Sequence, residues 1–439
     1  MLSPNDNHML TQVGSGTPMG DMMRRFWLPG LLPWELPAPD CPPIRFRLLG
    51  EELVAYRDTS GRVGVLAQAC PHRGASMFFG RNEEDGLRCV YHGWKFDMDG
   101  NCTDMPNEPA ESNFKHKIHA TAYPAREHGG IIWVYMGLAE HLPELPGFLS
   151  NQLPAEHTVA WKRHQSSNYM QALEGGIDPS HAAFLHSYLD PGNIRGVPNQ
   201  IMNRDRHPRS HIVDTDYGVL IGSRRHHTEA EDFLRTNIFL MPCYTMAPVD
   251  SGANPILRWS GWVPMDDHNV MRFTTECDPV MPIRESPKYK QRYTDVNSNG
   301  FLGGDEYEPA SALPGSPFRT RATRDNDYFV DRELQRTRRY SGMTDAGTED
   351  QAMTESMGTV YTRDREHLGT TDIGVIAARR CLLKACKALQ SAGVPPTGAL
   401  TPGAYQVNAT NVFAPAGVHW VEAVREGSSP QPGVYPKML

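Results

Sequence analysis

Two short pairs of cysteine and histidine constrain this sequence more than any other feature. The first pair is Cys70-x-His72, and the second pair, Cys89-x2-His92, follows after sixteen intervening residues. Only eight cysteines occur in 439 residues, which is too sparse for the disulfide framework of a small secreted domain. In a reducing compartment, cysteine and histidine at this close spacing are typical of metal ligands. The sequence therefore predicts two loops that share one metal site.

The residues around these pairs predict a small all-β module. Apolar runs broken by turn residues fill RFRLLGEELVAYRDTSGRVGVLAQA, residues 45–69, and the run GGIIWVYMG follows at 129–137. Before this module, Thr17 as a cap, Pro18 in the first turn and Pro29 as a stop predict one helix. A Pro-rich stretch near residue 150 predicts a boundary. We expect an N-terminal helical segment over 1–39, the β module over 40–150 and a second domain over 151–439.

The second domain is predicted to mix strands with helices. The runs YGVLIGSRR, RTNIFLMPCYT and ILRWSGWVPM read as strands. A long helix from about Asp372 to Gln390 is expected to turn apolar residues, Ile376 among them, toward a core. The stretch from Met281 to about Arg324 is rich in Gly, Pro and Ser, which predicts either a loop over a site or a surface insertion.

Two kinds of metal site fit the Cys–His pairs. A zinc ion accepts two cysteines and two histidines, but usually from pairs of like residues. A Rieske [2Fe–2S] cluster takes two thiolates on one iron and two imidazoles on the other, so that mixed pairs on both loops suit it. The loops CPHRGA and CVYHGWKFDMDG resemble the cluster loops of the Rieske oxygenases. This resemblance implies that Cys70, His72, Cys89 and His92 bind a [2Fe–2S] cluster.

A second set of candidate ligands lies in the segment NYMQALEGGIDPSHAAFLHSYL. A non-haem Fe(II) site needs two histidines and one carboxylate on one face of the metal. His181 and His186 are five residues apart, which is about 140° on a regular helix and too far to converge. Gly175, Gly176 and Pro179 give reasons for an irregular helix here.

The same segment resembles the Glu-x3-Asp-x2-His-x4-His pattern of the Rieske oxygenases, read here as Glu174, Asp178, His181 and His186. The resemblance implies that His181 and His186 bind a mononuclear Fe(II). It also implies that Asp178 hydrogen-bonds His181 without binding the metal. In the family, the matching aspartate contacts a cluster histidine of the neighbouring subunit, here His92, and lies on the electron path.

The third iron ligand is expected to be a later carboxylate. The segment GTEDQAMTESMG resembles the downstream acidic segment of the family, and Asp350 is our choice within it. The alternatives are Asp345, Glu349 and Glu355, and an acidic first turn of a helix would explain the same residues without a metal.

The resemblance implies an α+β chain in which an N-terminal all-β Rieske domain precedes a helix-grip (START-like) catalytic domain with an antiparallel sheet. It further implies a terminal oxygenase that uses O2 and electrons from a separate NAD(P)H-dependent flavin and iron–sulfur reductase, and that assembles as a homotrimer or hexamer. No Gly-x-Gly-x-x-Gly follows a strand, so we expect no nicotinamide or flavin site on this chain.

Softer similarities place the substrate among aromatic acids. MGDMMRRFWLPG and DREHLGTTDIGVIAARRCLL resemble the phthalate dioxygenase-like and aryl-ether oxygenase group. That group hydroxylates phthalate-like or phenoxybenzoate-like acids, or O-demethylates methoxylated aromatic acids, which is the alternative activity. A carboxylate substrate calls for an arginine. The candidates are Arg204, Arg206, Arg209, Arg224 and Arg225.

Composition limits the other functional classes. The formal charge of −8 argues against a nucleic-acid binder. No run of about eighteen apolar residues predicts a membrane span, and the polar N-terminus leads us to expect a cytoplasmic protein. A non-catalytic Rieske electron carrier and a zinc-binding structural protein are the other hypotheses, and neither needs His181 and His186.

Overall fold

The computed structural model describes residues 2–109, 111–190, 197–249, 255–294 and 307–427. The N-terminal strands are β1 (Trp27–Leu31), β2 (Ile44–Leu48), β3 (Glu51–Arg57), β4 (Val63–Ala67), β5 (Arg81–Glu83), β6 (Gly86–Arg88), β7 (Lys95–Phe96), β8 (Cys102–Asp104), β9 (Ala125–His128) and β10 (Ile131–Tyr135). The later strands are β11 (Thr158–Gln165), β12 (Arg209–Asp214), β13 (Gly218–His226), β14 (Glu231–Leu240), β15 (Tyr244–Met246), β16 (Leu257–Pro264), β17 (Val270–Cys277) and β18 (Asn411–Pro415). The helices are α1 (Pro4–Thr11), α2 (Pro18–Met23), α3 (Tyr169–Ile177), α4 (Val197–Arg204), α5 (Pro287–Thr294), α6 (Arg332–Thr337), α7 (Ala346–Ser356), α8 (Ile373–Ala392) and α9 (Trp420–Gly427).

Three small antiparallel sheets form the N-terminal all-β part. Their strand orders are β1-β10-β9, β2-β3-β4 and β5-β6-β7-β8. The strands predicted between 45 and 69 are confirmed as the meander β2-β3-β4, which runs from residue 44 to residue 67. The run at 129–137 is confirmed as β10, whose five residues are all buried.

The predicted N-terminal helix is shorter than expected. Thr17 caps α2 and Pro18 opens it, as predicted, but the helix ends at Met23. Pro29 lies inside strand β1, so the prediction that it stops the helix is wrong. A proline is tolerated there because β1 is an edge strand, and the register with β10 shifts between Pro29 and Leu31. The segment 1–39 therefore contributes a strand to the β module as well as helices.

One eight-stranded antiparallel sheet dominates the second part of the chain. The strand order is β11-β17-β16-β15-β14-β13-β12, and β18 pairs with β14. Helix α8 packs on β12 and β13, and α3 packs on β14, β15 and β16. Gly374 of α8 approaches Ile221 of β13 so closely that a Cβ at this glycine would lie 2.7 Å from the isoleucine side chain. We call the side of the sheet that faces α3 and α8 the helix face.

The opposite side of the sheet packs against the N-terminal β part through aromatic residues. Tyr244 of β15 donates its hydroxyl to the carbonyl of Trp27 in β1, with 2.6 Å between the oxygens. Phe148 stacks on Trp259 at a ring-centroid distance of 4.6 Å, and Trp133 lies 5.8 Å from the same ring. These buried aromatic contacts join the two parts of the chain through a shared apolar core.

Helix α8 confirms the predicted C-terminal helix and part of its predicted apolar side, since Cys386 is buried and Leu383 and Leu389 pack against the core. Its buried residues include Val375, Ala378, Leu382 and Cys386, which form a stripe at helical spacing. Ile376 was expected in the core and is 43% exposed. Apolar residues occur on two sides of this helix, and the small residues decide which side approaches the sheet.

The stretch from 281 to 324 contains helix α5 and a segment that packs on β11. His164 of β11 donates its backbone amide to the carbonyl of Phe318, and the Tyr307 hydroxyl donates to the Lys162 carbonyl. Residues 295–306 lie outside the described part. Among the described residues, no helix is long and apolar enough to cross a membrane.

Candidate metal centres

The two cluster loops have the same backbone hydrogen bonds. In each loop the cysteine amide donates to the carbonyl five residues later at 2.8 Å, and the glycine four residues later donates to the cysteine carbonyl at 2.9 Å. Those glycines, Gly74 and Gly93, have φ angles of 75° and 81°, which favour glycine. The loops that carry Cys70 and Cys89 are therefore near copies of each other, although they come from different hairpins.

The four predicted cluster ligands separate into a sulfur pair and a nitrogen pair. Cys70 and Cys89 are buried side by side, and burial, with a smaller contribution from the neighbouring Cys89 thiol, raises the pKa of Cys70 to about 11. His72 and His92 lie together, with 4.4 Å between their ring centroids. A Rieske cluster needs this separation, because one iron takes both thiolates and the other takes both imidazoles.

A single zinc ion fits this arrangement poorly. Tetrahedral zinc with bonds of about 2.0–2.3 Å holds its ligand atoms about 3.3–3.8 Å apart. Cys70, His72, Cys89 and His92 are not among the described residues whose donor atoms all lie within 4.8 Å of one another. The Nδ1 atom of His72 is buried and has no hydrogen-bond partner, although its ring stacks on Trp94 at 4.3 Å. A buried ring nitrogen without a partner fits a metal ligand, so these residues suit the [2Fe–2S] cluster.

A second group of donors forms after helix α3. The side chains of His181, His186 and Asp350 each offer one ligand atom, and these atoms lie within 4.8 Å of one another. The Oδ1 atom of Asp350 lies 3.1 Å from Nε2 of His186 and 3.7 Å from Nε2 of His181. The structure therefore brings together all three residues that the sequence analysis selected as iron ligands, and two histidines with one carboxylate suit Fe(II).

A break in the helix allows the two histidines to converge. Helix α3 ends at Ile177, and Asp178 then accepts hydrogen bonds from the backbone amides of Ser180 (2.7 Å) and His181 (3.1 Å). A short 3₁₀ turn, His181–Ala183, replaces further α-helix. The predicted irregularity is thus confirmed, and it removes the angular mismatch of about 140° that a regular helix would impose.

A carboxylate orients each histidine of this group. Asp178 Oδ2 lies 3.2 Å from Nδ1 of His181, as the sequence analysis expected. Glu349 Oε2 lies 2.6 Å from Nδ1 of His186, a contact that sequence reasoning missed. Since carboxylates only accept, both Nδ1 atoms carry the proton, and both Nε2 atoms are left to face Asp350.

The remaining acidic candidates have other partners. Asp345 caps helix α7 by accepting from the Thr348 amide. Glu355 accepts from the Tyr328 hydroxyl and the Ser166 amide. Glu174, the first residue of the family-like pattern, forms ion pairs with Arg363 and Arg379 and does not join the metal group.

Neighbouring side chains keep the Asp350 carboxylate ionised. Burial tends to raise the pKa of Asp350, but His186, His181 and Arg272 outweigh this and lower it to about 2. Asp350 is therefore an ionised ligand candidate at neutral pH.

Two arginines lie on the helix face of the sheet, and one of them contacts residues 178–186, which we call the metal-binding loop because they carry both histidines. Arg225 is fully buried and donates to the carbonyl of Pro179, at 2.6 Å, which ties β13 to the metal-binding loop. Arg235 of β14 lies opposite Ser223 in the register and donates to Asn411 Oδ1 at 3.3 Å. Burial, together with the nearby Arg225, lowers the pKa of Arg235 to about 9. Within the described part of the chain, Arg235 has no carboxylate in ion-pair distance.

Sequence reasoning included Arg225 among its candidates and missed Arg235. The signal was an arginine in an otherwise buried, apolar strand, FLRTNIFLM. The other four candidates have other partners, and Arg206 contacts Phe184 of the metal-binding loop. Arg204 donates to the His227 carbonyl, Arg206 lies over Phe184, Arg209 pairs with Asp205, and Arg224 pairs with Asp232.

Comparisons with known proteins agree with this description of two centres. Residues 27–124 match the Rieske [2Fe–2S] domain, and residues 134–426 match the family described as "LigXa C-terminal domain like". The chain is 36% identical to the 3-chlorobenzoate-3,4-dioxygenase oxygenase subunit of Comamonas testosteroni, over 97% of this chain and 98% of that protein. It is also 36% identical to the phthalate 4,5-dioxygenase oxygenase subunit of Pseudomonas putida, over 89% and 88%. The fold matches dicamba monooxygenase bound to dicamba with a TM-score of 0.59, at 17% identity and coverage of 84% and 99%.

Proposed function

Because the chain belongs to the Rieske non-haem iron oxygenases, we propose that it is the terminal oxygenase of a multicomponent system that hydroxylates an aromatic acid. The family uses a Rieske cluster and a mononuclear iron, and the chain is an enzyme of that kind. The aromatic acid, the residues at each metal and the assembly are the parts that we propose.

The residues assigned to each metal follow from the two donor sets. Cys70, His72, Cys89 and His92 would hold the cluster, and His181, His186 and Asp350 would hold the mononuclear iron. When bound, these groups supply single-electron transfer and the activation of O2. The chain itself contributes position and charge: Asp178 and Glu349 orient the two histidines, and Arg225 fixes the loop that carries them.

The environment of Arg235 is the observation that supports an acidic substrate. Arg235 is partly buried in a strand whose neighbouring residues are buried, and a guanidinium partly withdrawn from water without a carboxylate partner is costly unless an anion pairs with it. Among the described residues, Asn411 is the one side-chain partner of Arg235, and burial together with Arg225 lowers the pKa of Arg235 to about 9. A substrate carboxylate at this position would form a charge-assisted and potentially bidentate pair with the guanidinium.

The position of Arg235 also suits a substrate that reaches the iron. In an antiparallel sheet, Arg235 and Arg225 are diagonal neighbours on one face, because Arg235 is paired with Ser223 and Arg225 with Phe233. Arg225 contacts Pro179, two residues before His181. A carboxylate held by Arg235 would therefore leave the rest of a small aromatic ring directed along the helix face toward the metal-binding loop.

The test is a comparison of charged and neutral substrates in Arg235→Gln. Losing a hydrogen bond to a charged group costs about 1.5–3 kcal/mol, so KM for an aromatic acid should rise about 10- to 150-fold. The methyl ester or amide of the same acid should show a much smaller change. Arg224→Gln is the matched control, since Arg224 lies on the neighbouring strand, pairs with Asp232 and faces the other side. Equal losses for the acid and its ester, or no turnover of any aromatic acid by the unmodified protein, would contradict the proposal.

We also propose a separate reductase as electron donor and a head-to-tail trimer, alone or as a stacked pair. Val90 and Tyr91 are exposed beside the cluster ligands, and Phe184 and Tyr340 are exposed beside the metal-binding loop. Pairing these two apolar patches between subunits would bring His92 of one chain near Asp178 of the next. Light scattering that finds a fully active monomer would contradict this assembly.

A further inference from the structure

Glu349 is a buried carboxylate whose position no metal-ligand role explains. It lies in the first turn of α7, directly before Asp350, and is 0% exposed. Its Oε1 atom accepts hydrogen bonds from Arg339 Nη2, at 2.8 Å, and from the Ser341 hydroxyl. Its Oε2 atom accepts from His186 Nδ1 at 2.6 Å. Both carboxylate oxygens therefore accept hydrogen bonds, and Glu349 is not part of the described group of candidate metal ligands, which is His181, His186 and Asp350.

Residues 339–341 hydrogen-bond the Glu349 carboxylate and also contact the loop that carries His186. Arg339 pairs with Tyr188 in an antiparallel β-bridge, and the amide of Tyr340 donates to the Ser187 carbonyl at 3.1 Å. The guanidinium of Arg339 donates to the Tyr188 hydroxyl at 3.0 Å as well as to Glu349. Backbone and side-chain contacts thus fix the distance between helix α7 and the histidine loop.

The hydrogen bond between His186 and Glu349 is shorter and more buried than the matching bond between His181 and Asp178. The nitrogen–oxygen distance is 2.6 Å for His186 with Glu349, and 3.2 Å for His181 with Asp178. The Asp178 side chain is 22% exposed, whereas that of Glu349 is 0% exposed. A hydrogen bond to an ionised group gains strength in a water-excluded site.

We propose that Glu349 is a positioning residue for the mononuclear iron. It fixes the proton of His186 on Nδ1 and the direction of the ring, so that Nε2 meets the metal beside Asp350. Arg339 and Ser341 complete the arrangement by holding the carboxylate. This inference rests on the proposed iron site, and it predicts that metal affinity depends on a residue that does not touch the metal.

The test measures metal binding rather than turnover. The mononuclear ion is removed by mild chelation with the cluster retained, and Co(II) binding to the holo-cluster protein is followed by calorimetry and by its d–d absorption. Glu349→Gln should weaken Co(II) binding about 10- to 100-fold. Its amide oxygen can accept from His186, but its amide group then faces the donors of Arg339 and Ser341. The cluster absorbance should not change.

Glu355→Gln is the matched control. Glu355 lies on the same helix and is 3% exposed, but its partners are Tyr328, Gln351 and the Ser166 amide. Its substitution should leave Co(II) affinity within about threefold of the unmodified protein. If Glu349→Gln does not fold, Ser341→Ala removes one donor to Glu349 and should weaken Co(II) binding about two- to tenfold.

The Asp350→Ala variant distinguishes failure of the proposed iron site from failure of the proposed role of Glu349. If Asp350→Ala binds Co(II) normally, the iron site itself is assigned wrongly. If Asp350→Ala loses Co(II) while Glu349→Gln, or Ser341→Ala in its place, binds it as tightly as the unmodified protein, the positioning role of Glu349 is overturned.

Discussion

Substitution of Asp178 by Asn tests the role of this carboxylate, because a small change in the side chain is expected to have a large effect on turnover. Asp178 accepts from the Ser180 amide through Oδ1, and from the His181 amide and His181 Nδ1 through Oδ2. An asparagine has one acceptor oxygen and one amide group. Whichever way it lies, the amide group faces a hydrogen-bond donor, either at Ser180 or at His181.

The magnitude follows from the bonds that are lost. Burial tends to raise the pKa of Asp178, but the hydrogen bonds and charge of His181 lower it, so the carboxylate is ionised at neutral pH. A lost hydrogen bond to a charged group costs about 1.5–3 kcal/mol, which corresponds to about a 10- to 150-fold effect. Loss of a group that orients a metal ligand costs about 10- to 100-fold in affinity or activity, in agreement with this range.

The assay compares turnover with metal content. Asp178→Asn, saturated with Fe(II), should keep both kinds of iron and an unchanged cluster absorbance, while product formation falls about 10- to 100-fold. Asp345→Asn is the control, because Asp345 caps α7 near the site and asparagine caps helices equally well. Turnover of Asp178→Asn near the normal rate, at full iron content, would refute the assignment of Asp178 to orientation and to the electron path.

Two further predictions concern the candidate cluster ligands and the ion pairs of Glu174, a residue of helix α3, which precedes the metal-binding loop. Cys102 is buried in the same small core as Cys70 and Cys89, but its thiol contacts the Asp104 carbonyl. Cys102→Ser should keep the visible absorbance of the cluster, whereas Cys89→Ser should lose it; loss in both would contradict the ligand set. Glu174 is held by Arg363 and Arg379, and although burial tends to raise its pKa, these arginines lower it. Because the folded pKa lies below the unfolded value of about 4.3, the stabilisation is present above that pH and is lost as the pH falls through the folded pKa. Glu174→Gln should therefore lower the urea midpoint clearly at pH 7, with the gap narrowing below about pH 4; a gap independent of pH would contradict the ion-pair account.

The candidate cluster ligands could be selected from the sequence because each pair is local in sequence. Cys70 with His72, and Cys89 with His92, sit within single loops whose glycines and spacing are visible without a structure. The histidines of the second centre were also predictable as a pair within one segment. Their orientation required the break after Ile177, which the glycines and proline only suggested.

The third candidate ligand, Asp350, was harder to select because its position depends on packing between distant segments. Asp350 lies far along the chain from His186, and Glu349 beside it points about 100° away on the same helix. Only the docking of α7 decides which carboxylate meets Nε2 and which meets Nδ1. Arg235 was missed for a related reason, since one arginine in an apolar strand has meaning only when its face of the sheet is known.

Two helix predictions failed through competing tertiary contacts. Ile376 is apolar and at a plausible helical position, yet α8 approaches β13 through Gly374 and leaves Ile376 exposed. Pro29 read as a helix stop, but pairing of β1 with β10 takes it into an edge strand. In both cases the sequence pattern allowed two arrangements, and packing selected one.

The most direct test is the count of iron and sulfide in the purified chain, combined with electron paramagnetic resonance. Two centres predict about three irons and about two inorganic sulfides per chain. The reduced protein should show a Rieske-type signal, and nitric oxide should reveal a separate high-spin iron that disappears in Asp350→Ala. A chain that holds only the cluster irons, or whose nitric oxide signal survives in Asp350→Ala, would contradict the two-centre account.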